Sequence, residues 1–93
     1  MRITDKDLEA VVNRINRLLD KPQEPYTRDS EGRFRANIGN YHISGAYGGK
    51  ALHCMCNEGG GVSDVFGRGH MPKRELYELM HAYIKGIENK IMD

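Results

Sequence analysis

Tryptophan is absent from this sequence, and two phenylalanines and five tyrosines make up its whole aromatic content, so the core that 93 residues can build is modest. No apolar run approaches the roughly 20 residues of a membrane-spanning helix, so no span is expected. The start, Met1-Arg2-Ile3-Thr4-Asp5, turns polar at once and lacks the apolar stretch of a secretion signal. The expectation is a chain that stays in the cytoplasm of the cell that makes it. A domain this small often gains stability from self-association, which makes a homo-oligomer the expected assembly.

A surplus of positive charge is lacking too. Fourteen Lys and Arg face thirteen Asp and Glu, for a formal net charge of +1. General nucleic-acid binders draw affinity from neutralising many phosphates, so any anion binding here has to come from a local arrangement of charge. The two cysteines, Cys54 and Cys56, are expected as reduced thiols. They share one strand face with His53 on the other, and zinc's remaining ligands are missing. They read as core, and neither a metal nor a cofactor is expected. G-x-S-x-G, P-loop and H-E-x-x-H patterns are absent, and Gly67-Arg68-Gly69 is not a dinucleotide fingerprint. His42, His53, His70 and His81 are scattered, and nothing fixes Ser63, Asp64 and His70 as a hydrolytic group. No catalytic residue is assigned, and the chain reads as a non-enzyme.

What is present begins with a well-signalled helix over 5–20. Thr4 is a natural N-cap with Asp7 three residues on, and Ile3 and Leu8 have the spacing of a hydrophobic staple. Leu8, Val11, Val12, Ile15, Leu18 and Leu19 form one apolar stripe, opposite Glu9, Asn13, Asn16 and Arg17. Pro22 ends the helix by disfavouring the α conformation at Lys21. Residues 21–33 carry turn formers without periodicity and read as a linker.

The middle reads as an antiparallel meander with strands at 34–38, 41–47, 50–56 and 62–66. Phe34, Ala36 and Ile38 alternate with polar residues, and Gly39-Asn40 is a hairpin signal. The alternative makes Gly39 a bulge inside one long strand, which leaves three strands. Tyr41, Ile43, Gly45 and Tyr47 share a face, Gly48-Gly49 is the next turn, and Asn57 to Gly61 the one after. Phe34, Tyr41, Tyr47 and Phe66 are expected to fill the core, with base stacking as the alternative use of one or two of them. Asn37, Asn40 and Asn57 read as turn formers, with the reading of ligand edges as their alternative use. A second helix, over 72–90, starts near Pro72 and buries Leu76, Leu79, Met80, Tyr83, Ile84, Ile87 and Ile91. Gly86 lies inside it at a cost of about 1 kcal/mol relative to Ala, with close packing as the expected reason. The sum is a single α+β domain, α-β-β-(β)-β-α, with the sheet packed against an N-terminal and a C-terminal helix.

The segment that stands out runs from Gly67 to Arg74. Arg68, His70, Lys73 and Arg74 crowd the start of the second helix, where cations oppose the helix dipole. A bound anion would reconcile them, using first-turn amides and close backbone approach at Gly67 and Gly69. The site predicted is therefore Gly67, Gly69, Arg68, His70, Lys73 and Arg74, and its ligand a small anion such as a nucleotide. The plainer alternative pairs Lys73 and Arg74 with Glu75 or Glu78 in solvent.

Several segments carry a resemblance: Ala36-Asn37-Ile38-Gly39-Asn40-Tyr41-His42, Gly45-Ala46-Tyr47-Gly48-Gly49, Asn57-Glu58-Gly59-Gly60-Gly61-Val62 and Lys73-Arg74-Glu75-Leu76-Tyr77. In these the chain resembles a group of small bacteriophage-encoded proteins of uncharacterised function. That resemblance implies expression in the cytoplasm of an infected bacterium and a non-catalytic accessory role, such as anti-defence. The α-β-β-β-α order with a basic last helix is also similar to double-stranded-RNA-binding domains. This implies duplex binding as the alternative to a small ligand, although Lys73 and Arg74 are all that stands for the longer basic run. A protein that occupies and blocks a host protein is the third expectation.

Overall fold

The computed structural model describes residues 2–92, with side chains to residue 90. In chain order the elements are α1 (Asp5–Leu18), β1 (Tyr26–Arg28), β2 (Phe34–Ala36), β3 (Tyr41–Ala46), β4 (Gly49–Met55), β5 (Val62–Asp64) and α2 (Lys73–Met92). The α+β class holds. The strands form two antiparallel sheets, β1-β2 and β3-β4-β5, where the sequence suggested one meander.

At the start of α1, Thr4 Oγ1 accepts the Asp7 N–H at 3.2 Å, and the Asp7 carboxylate accepts the Thr4 N–H at 2.8 Å. This is the expected reciprocal cap. The helix stops at Leu18, two residues early, because the chain turns left-handed at Asp20 (φ 55°). The Lys21 N–H then reaches the Asn16 carbonyl at 2.8 Å and the Asp20 N–H the Arg17 carbonyl at 3.2 Å, a Schellman closure. Asn16, expected in solvent, is instead buried. Its amide donates to the Tyr41 carbonyl at 3.0 Å and accepts the Tyr41 N–H at 2.9 Å, pinning α1 to the edge of β3.

The linker expected over 21–33 contains β1. Thr27 pairs with Arg35 and Arg28 with Phe34, and the Asp29 carboxylate holds the turn through the N–H groups of Glu31 and Arg33. β2 therefore pairs backwards with β1 and not forwards with β3, so neither the Gly39-Asn40 hairpin nor the single bulged strand forms. Gly39, at φ 91°, sits in a turn closed by the Asn40 N–H on the Asn37 carbonyl, which carries the chain from one sheet to the next. Phe34, expected inside, is 65% exposed, because among the described residues the small sheet lies outside the core that the helices close; Ile38, just beyond β2, is 57% exposed.

β3 and β4 join through Tyr47-Gly48, with positive φ at both residues as a type I′ turn requires. The turn thus lies one residue before the expected Gly48-Gly49. Beyond β4, the Asn57 carboxamide oxygen accepts the N–H groups of Gly59 and Gly61 at 3.0 Å each. After β5 the chain loops out and returns to β4, where Met71 and Lys50 exchange backbone hydrogen bonds at 2.8 Å.

Both helices lie on one face of the larger sheet. Leu8, Val12 and Ile15 of α1 and Leu76, Met80 and Ile84 of α2 close over Leu52, with Tyr41, Ile43 and Phe66 at the margin. The Pro72 carbonyl accepts the Leu76 N–H at 3.1 Å, so the proline lies just ahead of the helix it starts. Gly86 is exposed, and a Cβ there would touch nothing, so close packing does not explain it. The expected burial of Ile91 lies outside the described side chains. Among the described residues no helix is long and apolar enough to cross a membrane.

Candidate ligand-binding face

Alternation along β3 and β4 sends Tyr41, Ile43 and Leu52 toward the helices and His42, Ser44 and His53 to the opposite face. The Tyr47-Gly48 turn makes His42 and His53 direct cross-strand partners, with ring centroids 5.9 Å apart. The return of the chain at Met71 lays His70 beside them. Its ring lies 5.8 Å from His53 and 6.0 Å from Tyr47, and its Nε2 is 3.1 Å from Ser44 Oγ. Tyr47, His70, His53 and His42 thus make a row of four rings on the face of the sheet turned from the helices.

Burial and the neighbouring His53 keep the His42 imidazole below its ordinary pKa, and its Nδ1 faces the Asn40 carboxamide oxygen at 3.1 Å. Asn40 is fully buried and also donates to the Pro22 carbonyl at 2.7 Å, so the ring is braced from the loop behind it.

Tyr47 heads the row in an unusual state. It is 99% exposed, outside the core where the sequence placed it, and its backbone is left-handed at φ 55°. For a bulky non-glycine residue that conformation costs about 1 kcal/mol. The side chain recovers little of this by burial.

The basic corner adjoins the same turn, for Lys50 and Met71 are backbone partners. There the six predicted residues occupy three different situations. The amides of Gly67 and Gly69 are already taken, by Asp64 carboxylate oxygens at 3.2 and 2.7 Å. The cradle expected for an external phosphate holds an internal carboxylate. The cationic side chains remain at the surface: Arg68 lies 3.7 Å from Glu75, and Lys73 lies 3.1 Å from Asp5. Asp5 also faces Lys50 at 3.5 Å, so two ammonium groups share one carboxylate, and the hydrogen bond from Lys73 leads in holding its pKa down. Arg74 is exposed on the first turn of α2. His70 is the predicted residue that joins the corner to the ring row.

Lys50, His42, His53 and Ser44 were not predicted as site residues, and Tyr47 entered only through the base-stacking alternative. Cys54 is half-buried, its thiol pushed up by burial, while Cys56 is exposed. Among the described residues no three His, Cys, Asp or Glu side chains converge as a metal ion would need. In comparison with protein-family models, curated proteins and solved structures, this chain matches none.

Proposed function

We propose that this chain is a non-catalytic binding protein for nucleotide-bearing anions, with bases against Tyr47 and the imidazole row and phosphates at Arg68, Lys73 and Arg74. The observation that carries the reading is Tyr47, a fully exposed ring kept at a backbone angle that tyrosine disfavours. Strain held at an exposed position calls for a use, and an aromatic face stacks on any base. The shared Asp5 supplies the second half, because two lysines on one carboxylate leave net positive charge at the start of α2, close in the fold to the turn that carries Tyr47.

An extended single strand suits this face better than a lone nucleotide. The rings are strung along the sheet from Tyr47 to His42, where the row meets the cleft beside α1. The Gly67 and Gly69 amides, which would grip a compact phosphate, are engaged by Asp64. In this reading the setting is the infected bacterial cell that the phage resemblance implies.

The test is fluorescence anisotropy of a labelled oligouridylate of roughly 12 nucleotides, within the span such surfaces cover. Binding is expected at low salt. Neutralising three phosphates gives a slope of log K against log salt of about −2. Duplex RNA and mononucleotides should compete poorly. Tighter binding of duplex would move the reading to shape recognition, and no binding of any of the three at low salt would remove it.

A further inference from the structure

A second surface lies on the other flank of β3, away from its partner β4. Strand β3 is an edge strand, since the sheet runs β3-β4-β5. Its outward backbone groups belong to Tyr41, Ile43 and Gly45, because Asn40, His42, Ser44 and Ala46 face β4. Asn16 satisfies both groups of Tyr41. Among the described residues nothing takes the next outward pairs, at Ile43 and Gly45.

Beside that edge runs a cleft of about 350 Å³ between α1 and the loop ahead of the small sheet. Val12, Pro25 and Ile43 give it an apolar floor, while Glu9 and Glu24 line its sides. Gln23 donates to the Asn13 carbonyl at 3.3 Å, tying the loop to the helix.

We infer that this cleft receives an extended, basic polypeptide segment of a partner protein, added to β3 as a further strand. Backbone pairing at Ile43 and Gly45 supplies the docking, as in other strand-addition complexes. The two carboxylates select the occupant by charge: Lys or Arg side chains on the helix-facing side of the incoming strand meet Glu9 and Glu24, and the alternate, apolar side chains fall on the opposite face of the sheet. His42 borders both this cleft and the ring row, but the inference does not rest on the nucleotide reading, and its readout at Ile43 and Gly45 is distinct from oligonucleotide binding.

Amide hydrogen exchange of the full chain tests this, using a synthetic hexapeptide of alternating lysine and valine and its glutamate–valine counterpart as probes. The lysine peptide should slow exchange at Ile43 and Gly45 at least tenfold, and the glutamate peptide should not. The double variant Glu9→Lys, Glu24→Lys changes two exposed positions, so its fold should survive, and it should lose that protection. Equal protection by both peptides, or none by either, overturns the inference. Protection that appears without peptide as chain concentration rises, with a dimer in sedimentation, also overturns it by assigning the edge to a second copy.

Discussion

Single residues decide where this fold is tied together, and the least obvious is Asn16. The periodicity of α1 places it with the polar face, yet it is buried and spans from helix to strand edge. Nothing local in the sequence marks it, because the partner is the backbone of Tyr41, 25 residues away. Asn16→Ala would strand a donor and an acceptor in a part-buried place, and the expected loss is about 2 kcal/mol by urea unfolding. His42 supplies a pH signature at the same scale. Its folded-state pKa is depressed, so as pH falls through the ordinary value near 6.5 the unfolded chain takes up the proton first. Stability should be full above pH 7, decline below about 6.5, and level off once pH passes the folded pKa. Thermal melts across that window should show the decline, and His42→Gln should flatten it.

At the scale of elements, the parts that follow from local chemistry were legible. The cap at Thr4, the stripes of both helices and the start of α2 all rest on contacts within a few residues. The strand pairings were not, because they rest on turns whose register one residue changes. A turn at Gly48-Gly49 would set His42 opposite Met55; the observed Tyr47-Gly48 turn sets it opposite His53 and so creates the ring row. The sequence argued against that turn, since tyrosine is a poor choice for a left-handed position. Likewise three-residue strands such as β1 are too short for any alternation to show. Gly86 offers a clean test of element stability. It is helical, exposed and free of neighbours at Cβ, so Gly86→Ala should stabilise by about 1 kcal/mol, read as a higher urea midpoint.

For the molecule as a whole, balanced charge hid the candidate face. The sequence pointed to the cations at the start of α2, where Arg68 pairs with Glu75 and Lys73 with Asp5, while His70 turns away to the ring row. It pointed equally to Gly67 and Gly69 as ligand-binding amides, and these bond Asp64 from the end of β5 instead. What no linear pattern could supply was the juxtaposition of three histidines 11 and 17 residues apart (53 − 42 and 70 − 53) with an exposed tyrosine. The proposed activity depends on that tyrosine being retained for contact at a cost to the fold. The direct measurement is therefore a paired one on Tyr47→Asn, read by urea unfolding and by oligouridylate anisotropy. Asparagine suits the left-handed turn position, so stability should rise by about 0.5–1 kcal/mol. Affinity for the oligonucleotide should fall about tenfold, for a lost stacking contact. A variant that is more stable and binds as well as the parent would contradict the account.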